Sequence, residues 1–321
     1  MSMQQLGIAA SPMQTIGSLL IEAERSLKVA GIDQPALEAA WLLEHVLHLP
    51  PLMQRVKAEG QVPAEECARL RALVVRRADR EPLQYLLGTQ EFCGREFRVT
   101  PSVLIPRPES VLLVHEAIRR CKQNPAATLV DVGTGSGCLA VSVALALPEA
   151  RVVAIDVSAD AIVVARANLA QYDLDERIEC LHGDLLAPLT ERALTNQVDV
   201  ILSNPPYIDD LDLMTLQPEV RCFEPRLALA GGRDGMQVHR RLLQQAPAYL
   251  KAGGVLLMEV GLGQAASVCR LAKESGWFCI YDVLQDEGGI DRVVCCEKNG
   301  EGRSPQSDQP SIQTATRGSA S

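Results

Sequence analysis

The residues best suited to chemistry are Asn204-Pro205-Pro206-Tyr207, which close the apolar run Val198 to Leu202. Proline fixes φ and carries no N–H, so two in succession leave the surrounding carbonyls free to accept hydrogen bonds. The Asn204 side-chain oxygen and the Pro205 carbonyl then make a pair of acceptors for a planar NH2 group, with Tyr207 as an aromatic wall against it. An amide nitrogen is a poor nucleophile because its lone pair is delocalised into the carbonyl. A clamp of this kind works by positioning, which can contribute on the order of 7–11 kcal/mol when reacting groups are well oriented. Where the incoming group is already electrophilic, as a sulfonium-bound methyl is, transfer to that nitrogen needs no metal, no covalent intermediate and no dedicated general base. The plain alternative is a turn without a catalytic task.

A second cluster offers a place for a small ligand. Asp131-Val132-Gly133-Thr134-Gly135-Ser136-Gly137 follows a short apolar run and opens into an apolar helix. Glycine allows positive φ and close approach of backbone to ligand. The dinucleotide spacing G-x-G-x-x-G would need glycine at 138, where the chain has Cys138. The loop therefore suits a ligand without pyrophosphate, its helix N-terminus receiving a carboxylate such as that of a methionine moiety. Asp156 ends the next strand, about 20 residues beyond the loop, where an acidic side chain grips a ribose diol. His182-Gly183-Asp184 ends the third strand; the Asp184 carboxylate is expected to accept from an adenine amino group, with Leu185 covering the ring. The competing reading makes Asp156 and Asp184 simple helix caps.

These segments must be held by a scaffold, and 321 residues suffice for one large α/β domain and a smaller companion. Hydrophobic residues at 47% and charged residues at 22% describe a chain with a real core. The formal charge of −9 argues against a protein that grips nucleic acid through phosphate neutralisation. The 10 cysteines form no C-x-x-C pair and read as buried reduced thiols. Without a secretory or transit signal, or an apolar run near the roughly 20 residues that span a bilayer, a cytoplasmic protein is expected.

From Met13 to about Arg80, apolar residues such as Ile16, Leu19, Leu20, Ala23 and Leu27 recur at helical spacing, broken by Gly31, Pro50-Pro51, and Gly60 with Pro63. Residues 1–88 are read as a helical domain and 89–105 as a linking segment, whose alternation around Gly94-Arg95 predicts a β-hairpin. A helix is expected after Pro106-Arg107-Pro108. Short apolar runs at 128–132, 151–155, 178–181, 198–202 and 255–260 then alternate with helical stretches, including 138–147 and 238–250. Such alternation indicates a doubly wound, mainly parallel sheet over 106–298, closed by two antiparallel strands at 278–284 and 292–296. Residues 299–321 read as a disordered tail.

Taken together, the motifs resemble those of the bacterial HemK/PrmC family, the N5-glutamine methyltransferases of peptide chain release factors. The matching segments run from Glu81-Pro82-Leu83-Gln84-Tyr85-Leu86-Leu87-Gly88 through Leu104-Ile105-Pro106-Arg107-Pro108-Glu109, the glycine loop and Asn204-Pro205-Pro206-Tyr207-Ile208. They continue with Phe223-Glu224-Pro225-Arg226-Leu227-Ala228-Leu229, Gly231-Gly232-Arg233-Asp234-Gly235 and Asp291-Arg292-Val293. The resemblance implies a class I methyltransferase fold, a Rossmann-like seven-stranded sheet, using S-adenosyl-L-methionine. It implies the Gly-Gly-Gln glutamine of class I release factors as acceptor, docked with help from the helical domain and hairpin. Donor contacts carry over to Gly133, Thr134, Gly135, Ser136, Gly137, Asp156, Asp184, Leu185 and Asn204, and acceptor contacts to Asn204, Pro205, Pro206 and Tyr207. One departure stands out: Ser110-Val111 follows Arg107-Pro108-Glu109, where the family commonly continues Thr-Glu.

Several features also admit other readings. Arg69, Arg71, Arg76, Arg77 and Arg80 form either a basic face or a solvated helix surface, the latter favoured. His45 and His48 lack a third metal ligand nearby, so no metal is expected. Cys295-Cys296 lies in a predicted strand and points to opposite faces. A ribosomal-protein glutamine methyltransferase shares the acceptor motif but usually lacks the Arg-Pro-Glu continuation. An adenine-N6 nucleic acid methyltransferase would need base flipping and a target-recognition domain. A non-catalytic donor-binding module would not require Asn204. The expected protein acts as a monomer on release factors, without sequence-specific nucleic acid binding or membrane attachment.

Overall fold

The computed structural model describes residues 14–300. The tail expected from 299 falls, beyond Gly300, outside the described residues. Helices α1 (Ile16–Val29), α2 (Pro35–Leu47), α3 (Pro51–Val56), α4 (Ala64–Ala78) and α5 (Leu83–Leu87) build the helical region around Leu19, Leu27, Leu42, Leu43 and Leu70. Thr15 caps α1 in a reciprocal box with Ser18, satisfying N–H groups a helix start leaves open. Two-residue strands β1 (Gln14–Thr15) and β2 (Gln61–Val62) brace this region, too short to leave a periodic signal.

The expected hairpin forms from β3 (Thr89–Phe92) and β4 (Arg95–Arg98). Its turn is Cys93-Gly94, one residue earlier than read from the sequence. Both residues have positive φ, 51° and 72°, the two-residue geometry whose twist matches antiparallel strands. Phe97 on β4 is fully buried beside Phe92 and Tyr172.

The remaining chain alternates as expected: α6 (Val111–Cys121), β5 (Thr128–Val132), α7 (Cys138–Ala146), β6 (Arg151–Asp156), α8 (Ala159–Gln171), β7 (Ile178–His182) and β8 (Val198–Ser203). Short helices α9 (Pro218–Phe223) and α10 (Arg226–Leu229) precede α11 (Gln237–Gln245), β9 (Leu250–Glu259), α12 (Ala265–Glu274), β10 (Phe278–Gln285) and β11 (Asp291–Lys298). The seven strands lie in the order β10-β11-β9-β8-β5-β6-β7, with β11 antiparallel to both neighbours and the pairs from β9 to β7 parallel. This is the Rossmann-like seven-stranded sheet expected.

Two boundaries differ by more than two residues. The helix read over 238–250 stops at Gln245, because Pro247 has no N–H to continue it. Strand β9 begins at Leu250 rather than Val255, and its pairing with β8 shifts register between Val198 and Val200 beside Gly253-Gly254. The sheet is buried on both faces: Leu129, Val200, Leu257 and Cys295 belong to one core, and Val130, Ile201, Leu256 and Cys296 to the other. Cys295 and Cys296 thus point to opposite faces as expected. Not every thiol is buried: Cys222 and Cys279 are exposed, and Cys93 and Cys269 partly so. Among the described residues no helix is long and apolar enough to cross a membrane.

Of the five arginines read as a solvated helix face rather than a basic one, Arg71, Arg76, Arg77 and Arg80 are engaged in ion pairs. Arg71 pairs with Glu22, Arg76 with Glu81, and Arg77 with both Glu38 and Glu219. Arg80 also meets Glu219, so the end of α4 is joined to α9.

Asn168, on α8 and fully buried, ties the hairpin to the donor loop. Its oxygen accepts the Arg98 N–H at 2.8 Å, and its NH2 donates to the carbonyls of Arg98 (3.0 Å) and Ser136 (2.8 Å). Asn168→Ala leaves these backbone groups without partners and is expected to lower unfolding free energy by about 2–3 kcal/mol. Urea denaturation monitored by circular dichroism checks this; an unchanged midpoint would show that the hairpin and loop hold without the amide.

Candidate active site

The chain leaves β5 toward β6 and β7 on one side, then crosses to β8 on the other. The strand ends of β5 and β8 therefore flank the point where the winding reverses, the crevice where open α/β sheets receive ligands. A cleft of about 530 Å³ opens there, within the roughly 300–1,000 Å³ usual for small-molecule sites. Of the residues expected to meet the donor, Gly133, Thr134, Gly135, Ser136, Asp156, Asp184, Leu185 and Asn204 line it.

The donor loop is held from beneath. Thr134 donates its hydroxyl to Asp131 Oδ2 at 2.6 Å, and the Ala140 N–H reaches the same oxygen. Gly133 and Thr134 give their N–H groups to the Ile155 carbonyl, and Gly135 gives its own to Asp156 Oδ2 at 2.9 Å. Gly137 does not line the cleft; it caps α7 with a φ of 80°, and a Cβ there would already touch Ala165 and Leu169. Burial drives the Asp131 carboxyl up to about 7, despite the hydrogen bonds from Thr134 and Ala140 that favour its charge.

The cap reading of Asp156 does not hold, since Ser158 caps α8 in its place. Asp156 Oδ1 accepts the Ser158 N–H just before α8, while Oδ2 fastens the glycine loop. Each carboxylate oxygen retains a further lone pair for a ribose hydroxyl. Burial raises its pKa above the ordinary value, against the N–H groups of Ser158 and Gly135. Asp184 is half exposed, and its carboxylate pairs with Arg241 of α11, a partner the sequence reading did not identify. It makes no side-chain cap among the described residues. Leu185 lines the cleft beside it with a φ of 50°.

On the acceptor side the structure brings Asn204 and Pro206 to the cleft, whereas Pro205 is buried and Tyr207 stands behind. Ser203 anchors the motif, its hydroxyl donating to the Val132 carbonyl at 2.7 Å. Asn204 Nδ2 donates to Ser110 Oγ at 3.0 Å, and Ser110 donates to Glu259 Oε2 at 2.6 Å. The Tyr207 hydroxyl donates to the other Glu259 oxygen at 3.3 Å. Neither the Asn204 side-chain oxygen nor the Pro205 carbonyl receives a hydrogen bond from the described residues.

A ring of residues not anticipated as site residues fixes Tyr207. Gln264 donates to the Tyr207 carbonyl at 2.8 Å and accepts the Gly261 N–H at 2.9 Å. Gly235 has a φ of 70°, and a Cβ added there would lie 2.3 Å from the Tyr207 carbonyl oxygen. His239, fully buried, holds the Glu259 carbonyl at 2.8 Å through Nε2, which must carry the proton because a carbonyl only accepts. Burial lowers the His239 pKa, keeping the ring neutral. The Gly231-to-Gly235 motif signalled this packing without indicating its partner. Ser110, singled out in sequence only as a departure, proves to be the contact of Asn204. Arg107, lining the cleft, pairs with buried Glu224, which also accepts the Ile105 N–H and so fixes the proline-arginine segment. No group of three or more His, Cys, Asp or Glu suited to a metal occurs among the described residues.

Comparison with known proteins finds two family models: "PrmC N-terminal domain" over residues 18–88 and "Methyltransferase small domain" over 110–218. A Geobacter sulfurreducens protein named release factor glutamine methyltransferase is 45% identical over 280 residues, 87% of this chain and 95% of that protein. A Gloeobacter violaceus protein of the same name is 43% identical over 274 residues, 84% of this chain and 94% of that protein. The solved protein-(glutamine-N5) methyltransferase (release factor-specific) of Alicyclobacillus acidocaldarius is 34% identical, spanning 63% of this chain and 99% of its own, with a TM-score of 0.40.

Burial raises the Glu259 carboxyl from 4.5 to about 7. It binds its proton more tightly folded than unfolded, so its contribution to stability is full below about pH 4.5 and is lost as pH rises through about 7. The stability deficit of Glu259→Gln against the parent protein should therefore shrink by roughly 2–3 kcal/mol between about pH 5 and about pH 8. Urea unfolding of both proteins at the two pH values measures it; a deficit that does not change would place the folded pKa near its ordinary value.

Proposed function

The chain belongs to the release factor glutamine methyltransferase family, and from that premise we propose that it transfers a methyl group from S-adenosyl-L-methionine to the side-chain amide nitrogen of the Gly-Gly-Gln glutamine in class I peptide chain release factors. The observation that carries the reading is the meeting of Gly133 to Ser136, Asp156 and Asn204 along one cleft at the reversal of the sheet. The N-terminus of α7 suits the carboxylate of the methionine moiety. Asp156 suits the ribose diol, and Leu185, beside Asp184, suits the adenine ring. When bound, the donor supplies a methyl group already activated by sulfonium charge.

The protein's own contribution is orientation. The Asn204 side-chain oxygen and the Pro205 carbonyl accept the two hydrogens of the glutamine NH2, which fixes the plane of the amide and points its nitrogen along the line of attack. Pro206 limits the space beside that plane, with Tyr207 standing behind it. The nitrogen becomes far more acidic as it is alkylated, so its proton leaves to solvent without a dedicated base. The helical region and hairpin are assigned the docking of the partner, supported by the ion pairs of Arg77 and Arg80 with Glu219, in the stretch that follows the acceptor motif.

Labelled S-adenosylmethionine incubated with a purified class I release factor is expected to mark that factor, but neither the same factor with its Gly-Gly-Gln glutamine replaced nor DNA. Label on DNA would support an adenine-N6 activity, and label on nothing a binding module. Asn204→Ala should abolish transfer while leaving donor affinity reduced at most modestly. Turnover retained in that variant would sink the clamp. For Asp156→Ala, isothermal titration should show donor affinity lowered about tenfold or more, the scale of one charge-assisted hydrogen bond. Unchanged donor affinity would remove Asp156 from the ribose site.

A further inference from the structure

We propose that Ser110 and Glu259 are positioning residues that decide which end of the Asn204 side-chain amide faces the cleft. This rests on the methyl-transfer reading above and deepens it. A terminal amide can turn over, exchanging oxygen for NH2 with little change in shape, yet only the oxygen accepts from a glutamine NH2.

The direction follows from counting hydrogens. As a carboxylate, Glu259 has none to give, so the Ser110 hydroxyl commits its single hydrogen to Oε2 at 2.6 Å. The Tyr207 hydroxyl commits its own to Oε1 at 3.3 Å. Ser110 Oγ then offers only lone pairs to Asn204, 3.0 Å away, and the group that meets it must be the NH2. The Asn204 oxygen is left for the cleft. The relay is rigid because Ser110 and Glu259 are buried, and the Glu259 backbone is held by strand pairing with Val293 and by His239. In an apolar interior an unmatched donor or acceptor is expensive, so the wrong amide orientation is disfavoured.

The same relay makes the clamp sensitive to pH. Three charged or titratable groups bear on the Glu259 carboxyl, Glu109 before α6, Arg292 on β11 and Tyr207, while His239 on α11 meets its backbone carbonyl. Glu109 raises its pKa, Arg292 and the hydrogen bonds from Ser110 and Tyr207 lower it, and burial dominates, bringing it to about 7. His239 stays neutral, as its own pKa is lowered by burial. A protonated Glu259 can donate to Ser110, whose hydrogen then turns to Asn204 and favours the reversed amide. Turnover is thus expected to rise as pH passes through about 7.

The test compares Ser110→Ala, Ser110→Thr and Glu259→Gln with the parent protein on a release factor, with donor binding measured by calorimetry. Ser110→Ala should lower kcat about tenfold to a hundredfold with donor Kd within about twofold, while Ser110→Thr, which keeps the hydroxyl, stays within about threefold. The rise of kcat near neutral pH should flatten in Glu259→Gln. Independently of turnover, the Asn204 side-chain NH2 signals, assigned in 15N spectra by their loss in Asn204→Ala, should exchange with solvent faster in Ser110→Ala than in the parent. Parent-like kcat in Ser110→Ala, an equal loss in Ser110→Thr, or equal exchange rates would overturn the positioning role. An unchanged pH profile in Glu259→Gln would overturn the pH coupling. If the parent protein labels no release factor glutamine, the functional reading fails instead, and the exchange comparison still decides the role of Ser110.

Discussion

The pairing of β5 with β8 is the contact on which the site depends. In-register parallel pairs from Leu129 with Val200 to Val132 with Ser203 carry both strands to the same edge of the sheet. The Ser203 hydroxyl then closes onto the Val132 carbonyl at the point where both strands become loops. The glycine loop leaves one strand and the Asn-Pro-Pro-Tyr segment leaves the other, separated by the spacing of adjacent strands, about 4.8 Å. No flexible side chain has to span the gap between a donor and an acceptor. The sheet sets it.

Beneath these loops lies a layer of buried and partly buried polar groups whose partners come from distant parts of the chain. Ser110 precedes α6, Glu259 ends β9, His239 sits on α11 and Gln264 precedes α12. Each holds the Asn-Pro-Pro-Tyr segment directly or through a neighbour, where a loop by itself would move. Asp131 and Asp156 play the corresponding part under the donor loop. Low polarity around them strengthens every hydrogen bond that is made and penalises every one that is not. Burial of these hydrogen bonds thus gives the loops their rigidity.

How much of this was legible in sequence follows from how local each signal is. The glycine loop, Asp156 and Asn204 to Tyr207 each announce themselves within a few residues, by glycine spacing, by a strand end, or by paired prolines. The alternation of strands and helices was equally plain, because each apolar run is short and bounded. Glu259, Gln264 and His239 carried no such mark: they work through residues far away in the chain, and a lone glutamate at a strand end has many possible uses. Asp184 shows the same limit from the other side, since its position was readable but its pairing with Arg241 was not. The hairpin turn was misplaced by one residue because a cysteine at positive φ is uncommon, and the sequence favoured Gly94-Arg95 instead.

The seam between the helical region and the catalytic sheet restricts how this protein can be recombined or diversified. Arg77 is nearly enclosed, with Glu38 from its own helical region on one side and Glu219 on the other. A charge introduced or removed at one of these positions strands the others, so substitutions here are tolerated in compensating sets. A chimera that exchanged only the segment up to Gly88 with a protein lacking the Glu219 carboxylate would import an arginine without its glutamate. The recombination unit is therefore discontinuous in sequence: the helical region travels together with the stretch around α9, more than a hundred residues downstream.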